Sequence, residues 1–487
     1  MQQKSLKKNA IFNFIKSFMN IIFPIISFPY ASRILLPEGI GKVNFANSII
    51  EYFSMIAVLG VNTYAAREAA KIRDDKEKLS KFTKEILLFN FISTAIAYTL
   101  FVFCLFFVDK FSEYRILLIV CSTKILFFTL GTNWLFTAKE EFGYITLRHT
   151  SFQVISLILL FSFVHTSDDY LIYAGIGIFS NVGANIFNFI YARKFINLRQ
   201  KSPIDLRKHA KPIFTFFGIS CAGKINDLLD TTMLGFLSGN AAVGFYSASI
   251  KISTMVVELI TSTVSSFLPR TSYLLEQKKN DEYQLLVTKV LQLTFFFCIP
   301  ATIGLFVLSK PVIVLFSGEK YLPATATMQL LTFTIIAKTF NSFLNNLIIT
   351  PQRKERFALY AQLIALFFNG LLNYFFIKKW GVFGAGLATL MVEIILPVVK
   401  LFASWKYVFN RSNLLSVSKS AFGAIVMYIA IVALFQNCTN DFLKILYSVS
   451  IGSITYAFVE ISLKHETAIM ILSAIKKKII NQKKKKL

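Results

Sequence analysis

Five lysines lie inside hydrophobic runs long enough to cross a lipid bilayer: Lys16, Lys124, Lys224, Lys251 and Lys338. A charge at membrane depth costs roughly 2.5–3.5 kcal/mol on insertion scales, so such residues usually face a protein interior or a water-filled cavity. Ammonium groups in a cavity can replace the hydration of an anion that must cross a medium of low dielectric constant. Lysine would act as a mobile point charge, whereas arginine would hold the anion through two fixed donors. The five lysines therefore predict a shared cationic cavity for an anionic substrate.

Acidic residues in the same hydrophobic runs leave a second interpretation open, in which each lysine only neutralises a buried acid. Lys224 and Asp227 stand three residues apart on one predicted helix, a spacing that allows an ion pair. No nucleotide-binding motif occurs in the sequence, so transport would need an ion gradient or the substrate gradient. Lys289 and Lys400 lie near predicted helix ends and are expected to extend toward the membrane surface. The candidate carriers of H⁺ or Na⁺ are Glu51, Asp227, Asp230 and Glu393.

Amides on two predicted helices and one indole ring are the candidate groups for sugar contact. Each of two polar sets is expected to share one helix face, because its members follow helical spacing. The first set is Asn181, Asn185 and Asn188, and the second is Asn341 and Asn345 together with Lys338. Amides can bind sugar hydroxyls as donors and acceptors, and they can equally bond helices to each other. Trp134 is the candidate for stacking on a sugar, whereas most other Tyr and Trp residues are expected at the membrane interface.

The elements that must position these residues are transmembrane helices. With 55% hydrophobic residues and 52 Phe in 487 residues, the composition excludes a soluble globular protein. A window of about 20 residues, the length that spans the hydrocarbon core, predicts an all-α polytopic membrane protein with fourteen helices. Their expected cores are 10–32, 43–65, 86–108, 115–137, 149–166, 170–192, 212–237, 243–268, 285–308, 325–349, 357–377, 381–405, 415–436 and 442–463.

The net charge of +26 is explained by basic loops beside the membrane. Nucleic acid is not predicted as a partner, because the basic residues cluster between apolar runs without a base-stacking motif. A cytoplasmic N-terminus places the basic segments on one side, as the positive-inside rule requires. These segments are Arg67–Lys84, Arg193–Lys211, Arg270–Lys279, Arg353–Arg356 and Lys464–Lys486. Both termini are therefore expected in the cytoplasm, with anionic membrane lipids as neighbours.

Short motifs recur about 210 residues apart, which predicts two lobes of six helices each. The paired motifs begin at Gly41 and Gly244, at Asn133 and Asn346, and at Gly175 and Gly384. Because six is an even number, the two lobes should have the same topology in the membrane, as in transporters built from parallel repeats. The expected organisation is a lobe at 1–192, a basic linker at 193–211, a lobe at 212–405, two further helices at 406–463 and a basic tail at 464–487.

Four motifs in this order resemble the polysaccharide-export flippases. They are Arg33-Ile-Leu-Leu-Pro-Glu-Gly-Ile-Gly41, Arg67-Glu68, Asn133-Trp134 with Glu140, and Asp230-Thr-Thr-Met-Leu-Gly235 followed by Val243-Gly-Phe-Tyr-Ser-Ala248. The resemblance covers about residues 5–463. This family includes the O-antigen and capsule repeat-unit flippases (Wzx type), within a superfamily that also holds the MATE antiporters and the lipid II flippases.

The resemblance implies translocation of an undecaprenyl-diphosphate-linked oligosaccharide across the bacterial inner membrane by alternating access, without a cofactor. It marks Arg33, Arg67, Trp134 and Asp230 as positions of interest, and it implies a polysaccharide polymerase and a chain-length regulator as further partners. The alternatives are a lipid II-type flippase and a multidrug or cation antiporter, against which the excess of lysine argues. A polysaccharide polymerase is a weaker alternative, because that enzyme would be expected to carry a large outer loop.

Overall fold

The computed structural model describes residues 6–198, 203–435, 438 and 440–473, and most of this chain is helical. The end of the basic tail and residues 199–202 of the linker lie outside the described residues. The helices of the first half are α1 (Leu6–Val58), α2 (Val61–Lys71), α3 (Lys76–Phe107), α4 (Asp109–Ser112), α5 (Arg115–Leu130), α6 (Asn133–Ala138), α7 (Phe142–Phe163), α8 (Tyr170–Ile178), α9 (Asn185–Ala192) and α10 (Arg207–Leu237).

The second half continues with α11 (Asn240–Ser265), α12 (Leu268–Glu276), α13 (Asn280–Val307), α14 (Ser309–Ser317), α15 (Thr325–Thr332), α16 (Thr334–Leu344), α17 (Glu355–Val408), α18 (Arg411–Phe435) and α19 (Asp441–Ser462). Two π-helical turns interrupt this pattern, one at Phe179–Gly183 between α8 and α9 and one at Asn345–Ile349 after α16.

Ten helical stretches of the described chain are long and apolar enough to cross a membrane. Two of them, Phe18–Lys71 and Glu355–Val408, have 54 residues each. A straight helix of that length would measure about 80 Å, against a hydrocarbon core of about 30 Å, so each has room for two crossings. The all-α polytopic membrane fold is thereby confirmed. The number fourteen stays a prediction, with α10 and the α15–α16 segment at the positions of two further expected spans.

Each of the long helices α1 and α17 contains one residue with non-helical dihedral angles. In α1 the break is at Leu36, with φ 59° and ψ 175°. The ring of Pro37 disfavours helical dihedral angles at the residue before it and removes one hydrogen-bond donor. In α17 the break is at Gly381, with φ 54°, a value that glycine adopts without steric cost. Leu36 falls in the connection predicted between the first two spans, and Gly381 is the first residue of the predicted span 381–405.

The chain divides into two compact units, Met1–Gly244 and Phe245–Leu487. Helix α10 belongs to the first unit, where it packs against α1 and α2. In the second unit, α18 packs against α13 and α19. The division between the units follows Gly244, later in the chain than the linker 193–211 at which the repeat places it. The lobe boundaries expected from the repeat stay a prediction.

Two of the recurring sequence motifs meet inside the first unit through their glycines. A methyl group on Gly41 would overlap the main chain of Asn240, and one on Gly244 would overlap the carbonyl oxygen of Pro37. The side chain of Asn240 also donates a 2.7 Å hydrogen bond to Glu38 Oε1. The glycines of these motifs therefore allow main chains to approach closely, as small residues do at helix contacts in membranes.

Replacing Gly41 with Ala is expected to reduce the amount of protein in the membrane about fivefold, because the new methyl group forces the main chains of α1 and α11 apart. Gly175→Ala is the matched control, since a methyl group there meets no atom within 4 Å. Quantitative immunoblotting of isolated membranes measures both variants. Equal amounts of the two would show that the close approach at Gly41 is not required for folding.

A buried polar network attaches the start of α10 to the first unit. His209 Nε2 donates to Glu85 Oε2 at 3.0 Å, and the hydroxyl of Tyr64 donates to His209 Nδ1 at 2.7 Å. Lys208 Nζ lies 2.8 Å from the same Glu85 oxygen. Glu85 and His209 are almost fully buried, where unpaired polar groups are costly. This network holds α10 against α2 and α3 and so positions the lysine and the acids farther along α10.

Candidate functional site

Glu51, Lys124 and Lys224 converge in the first unit, from α1, α5 and α10 respectively; we name these three residues the first cluster. Lys124 Nζ contacts Glu51 Oε1 directly, and Lys224 Nζ lies 3.5 Å from Glu51 Oε2. The side chains of Lys124 and Glu51 are 12% and 19% exposed, whereas that of Lys224 is 47% exposed. Two ammonium groups therefore share one carboxylate, and one of them remains open to a further anion.

Small and hydroxylated residues align α10 with α1 beside this cluster. Gly235 lies directly against the ring of Phe45. Thr232 Oγ1 is 3.1 Å from Ser48 Oγ and 3.2 Å from the hydroxyl of Tyr52. Lys224 stands eight residues before Thr232, about two helical turns, and therefore lies on the same face of α10.

Lys338, Glu393 and Lys400 form the second cluster, in the second unit, together with Asn341. Lys338 Nζ lies 3.4 Å from Glu393 Oε1, and Lys400 Nζ donates a 2.6 Å hydrogen bond to Asn341 Oδ1. Lys400 is also within electrostatic range of Glu393. In this cluster Lys338 pairs with the carboxylate, and Lys400 is held by Asn341. These residues come from α16 and α17, which pack against each other.

The expectation that Lys400 extends to the membrane surface is wrong. Its side chain is buried and bonded to Asn341, because α17 turns this face toward α16. The sequence did carry a signal: Lys400 follows Glu393 by seven residues, which places both on one helix face. Glu258 was also missed; it follows Lys251 by seven residues on α11 and interacts with it electrostatically.

The remaining charged candidates lie on the same helices outside the two clusters. Asp230 is buried on α10 and within electrostatic range of the hydroxyl of Tyr52, whereas Asp227 is exposed one turn earlier. Arg33 is exposed on α1, three residues before the break at Leu36. Lys16 lies near the start of α1 and belongs to neither cluster.

The pairing of lysines with acids is thus confirmed for Lys124, Lys224 and Lys338. This pairing does not remove the capacity of the clusters to bind an anion, because each contains one more ammonium group than carboxylates. An ammonium on a flexible stem can move from a carboxylate to a phosphate without a large change in the backbone. The arrangement suits transient binding and release of an anionic group.

The family of this chain is established by residues 6–275. The model of the family described as "Polysaccharide biosynthesis protein" matches residues 6–275, more than half of the chain. The chain belongs to this family. The resemblance to the polysaccharide-export flippases is confirmed by this match and by the relatives and solved structure described next.

Two relatives of this chain carry the name "Putative O-antigen transporter". The one from Escherichia coli (strain K12) is 24% identical over 270 residues, which make up 55% of this chain and 65% of that relative, just under two thirds of its length. The one from Shigella dysenteriae is 22% identical over 414 residues, covering 81% of this chain and 99% of that relative.

The fold is also that of a solved lipid II flippase, MurJ, in an inward closed conformation. The TM-score is 0.75 at 20% sequence identity, and the superposition covers 93% of this chain and 99% of that structure. At this identity the likeness concerns the fold. It supports the all-α polytopic fold that the sequence predicts.

Several motif residues of this chain join its helices or pack in its core. Glu140 accepts a 2.5 Å hydrogen bond from Arg73, which links the α6–α7 connection to the α2–α3 connection. Trp134 is 2% exposed, and its ring meets that of Phe82 edge-on at 5.8 Å. Its indole is enclosed in the hydrophobic core of the first unit, so this placement gives stacking on a sugar no support. Arg67 is exposed beside Glu68.

The amide candidates separate into two groups in the structure. Asn185 and Asn188 are buried and bonded to each other, with Asn188 Nδ2 donating to Asn185 Oδ1 at 3.3 Å. Asn181 is exposed and donates to Gly177 O on its own helix, because the π-helical turn Phe179–Gly183 changes the helix register between it and Asn185. The expectation of one shared face is therefore wrong for Asn181. Asn341 joins the second cluster, and Asn345 begins the second π-helical turn.

Proposed function

We propose that this protein is a flippase that moves an oligosaccharide linked to a polyprenyl diphosphate from the cytoplasmic to the outer leaflet of the bacterial inner membrane. The observation that carries this proposal is the sharing of the Glu51 carboxylate by Lys124 and Lys224 in the first unit. A diphosphate that joins a lipid to a sugar carries about two negative charges at neutral pH. The first cluster offers one ammonium group beyond its carboxylate, on the exposed side chain of Lys224, and this group can pair with one of these charges.

Lysine at these positions suits a substrate that must be released as well as bound. In the free protein Glu51 satisfies both ammonium groups of the first cluster, so neither is left as an isolated charge in a medium of low dielectric constant. When a phosphate arrives, one ammonium turns to it while the other stays on Glu51. When the phosphate leaves, the carboxylate takes the ammonium back.

Family membership and the names of the relatives support this proposal over a multidrug or cation antiporter. An excess of ammonium groups repels a cationic drug by the same electrostatics that attract a diphosphate. Under this proposal both termini are cytoplasmic, a polymerase and a chain-length regulator use the product, and H⁺ or Na⁺ drives transport. Glu51, Asp227, Asp230 and Glu393 remain the candidate carriers of that ion.

The direct test is transbilayer movement in vesicles. The purified full-length protein is reconstituted with a fluorescent polyprenyl-diphosphate oligosaccharide, and dithionite added outside bleaches only the probe in the outer leaflet. We expect the protein to accelerate probe movement at least about tenfold over protein-free vesicles, a change of about 1.4 kcal/mol in the activation barrier. Acceleration of ethidium but not of the lipid probe would overturn the proposal in favour of a cation antiporter.

In the same assay, Lys224→Gln is expected to slow probe movement about fivefold, since it removes the ammonium group that remains open to phosphate. Lys224→Arg should keep part of the rate, because it retains the charge. Lys289→Gln is the matched control, since Lys289 is an exposed lysine on α13 outside both clusters. Equal rates for Lys224→Gln and Lys289→Gln would show that the first cluster does not contact the substrate.

A further inference from the structure

Arg148 lies at the centre of a polar group in the first unit that is separate from both clusters. It comes from the first turns of α7, inside a stretch that is long and apolar enough to cross a membrane. Arg148 Nη2 donates to Asn133 Oδ1 at 3.0 Å, and Nη1 donates to Ala184 O at 3.3 Å. Its Nε is buried and has no hydrogen-bond partner within the described part of the chain. The guanidinium group is thus held in place with one donor still unused.

The charges around Arg148 are all positive or neutral. Lys16 on α1 is close enough for its ammonium group to be repelled by Arg148, and His149 is within electrostatic range of both. Among residues 6–198, 203–435, 438 and 440–473, no carboxylate forms an ion pair with Lys16 or Arg148. Two cations that repel each other without an acid between them are costly at membrane depth, and an anion placed between them would relieve that cost.

Amide oxygens beside the two cations lack donors. Gln153 Oε1 and Asn188 Oδ1 are buried and accept no hydrogen bond within the described residues. The amide nitrogens are already used: Asn188 Nδ2 donates to Asn133 Oδ1 at 2.9 Å, and Gln153 Nε2 donates to Asn20 Oδ1 at 3.4 Å. These hydrogen bonds determine which end of each amide is the free acceptor. Hydroxyl groups are the donors that such acceptors would bind.

The site is open on the side of α1. His149 Nε2 donates to Asn20 Oδ1 at 2.6 Å, and Asn20 itself is exposed. Lys16 is partly exposed on the preceding turn of the same helix. Asn20 and Lys16 therefore give this polar group an accessible edge on α1.

We propose that Arg148 and Lys16 form a second anion site, which binds an acidic group flanked by hydroxyls on the sugar part of the substrate. The proposal rests on the proposed function and specifies which part of the substrate the first unit recognises. Two groups have this chemistry: the phosphate attached to the first sugar, and the carboxylate of an acidic sugar such as a hexuronic acid. Arg148 provides fixed donors to the anion, Lys16 adds charge, and the free amide oxygens accept from the neighbouring hydroxyls.

Binding measurements on the full-length protein in lipid nanodiscs test this site with three ligands. The ligands are undecaprenyl diphosphate, the same lipid carrying a neutral oligosaccharide, and the same lipid carrying an oligosaccharide that contains a hexuronic acid. For both Arg148→Gln and Lys16→Gln we expect the dissociation constant of the hexuronic acid ligand to rise about tenfold, the size of one lost charge-assisted hydrogen bond. Arg148→Lys should show a smaller rise, because it keeps the charge.

The pattern across the ligands identifies the anion. If the variants bind only the hexuronic acid ligand more weakly, the site binds a sugar carboxylate. If they bind both sugar-bearing ligands more weakly by the same factor, the site binds the phosphate beside the first sugar. Wild-type affinity of both variants for all three ligands would overturn the site and leave the proposed function standing. Absence of binding of all three ligands to the wild-type protein would overturn both.

Two controls separate recognition from folding. Lys16 makes no hydrogen bond within the described residues, so Lys16→Gln removes charge without breaking a structural contact. Arg148→Gln breaks two hydrogen bonds, and its thermal unfolding is measured alongside. Arg115→Gln, at an exposed arginine at the start of α5, is the matched charge control and should bind all three ligands as the wild type does. If Arg115→Gln weakened ligand binding as much as Lys16→Gln does, the effect would be one of total charge, and the site would be overturned.

Discussion

Replacement of both Lys124 and Lys224 with Gln is expected to slow flipping about 100-fold, a larger effect than either single change would produce. The double variant leaves the carboxylate of Glu51 without either ammonium partner, and the first cluster changes from one positive charge to one negative charge. A diphosphate that approaches this carboxylate is then repelled where it was previously attracted. The rate of probe movement in reconstituted vesicles measures the change.

Adding Glu51→Gln to that double variant separates charge from side-chain identity. The triple variant is neutral at the first cluster, so it should recover about tenfold of the lost rate although it has one more substitution. Glu51→Gln alone is expected to bind undecaprenyl diphosphate more tightly and turn over more slowly, because no carboxylate remains to take the ammonium groups back. A triple variant as slow as the double variant would contradict the proposed exchange between carboxylate and phosphate.

Replacement of both Lys338 and Lys400 with Gln is expected to act first on folding. Glu393 and Lys400 are more deeply buried than Lys224, so removing both cations leaves a carboxylate with little access to water. Breaking such a buried pair costs about 3–5 kcal/mol, which is a large part of the stability of a folded protein. The amount of protein in isolated membranes should fall severalfold, as measured by quantitative immunoblotting.

Glu393→Gln in the same background should restore the amount of protein, since it removes the unpaired charge. Lys378→Gln with Lys379→Gln is the matched control, because both lysines lie on α17, are exposed, and contact aromatic rings of neighbouring residues. Normal membrane levels of the Lys338 and Lys400 double variant would show that Glu393 is hydrated or protonated in the folded protein. The second cluster would then resemble the first in serving binding more than folding.

The placement of the second cluster shows how far helical spacing leads and where it ends. Spacing alone predicted that Lys338 and Asn341 share a face of α16, and in the structure both contact α17, Lys338 at Glu393 and Asn341 at Lys400. The same reasoning applied to α17 would have placed Lys400 with Glu393. What spacing could not show is that the two faces meet, since Asn341 and Lys400 are separated by 59 positions.

The π-helical turn at Phe179–Gly183 shows a different limit. A regular helix places Asn181 with Asn185 and Asn188, but one extra residue in the turn leaves Asn181 exposed while the other two are buried. Nothing in the local composition signals this turn, because its hydrogen bonds differ from those of an α-helix by one position along the chain. Trp134 shows the same limit. The sequence places it beside Asn133, but only the structure shows that its ring packs against that of Phe82.

The sequence by itself determined the membrane class and most of the helices, and it contains the two residues, Pro37 and Gly381, whose local chemistry explains the breaks in the long helices. These features depend on local physics: the length of an apolar run, the missing donor of Pro37 and the free backbone of Gly381. Only the tertiary structure decided which charges meet. Glu51 and Lys124 are 73 positions apart, and Lys16 and Arg148 are still more distant. Helices pack where their surfaces are complementary, as at Gly235 against the ring of Phe45. The electrostatic attraction between distant residues becomes large only after this packing has brought their charges close together.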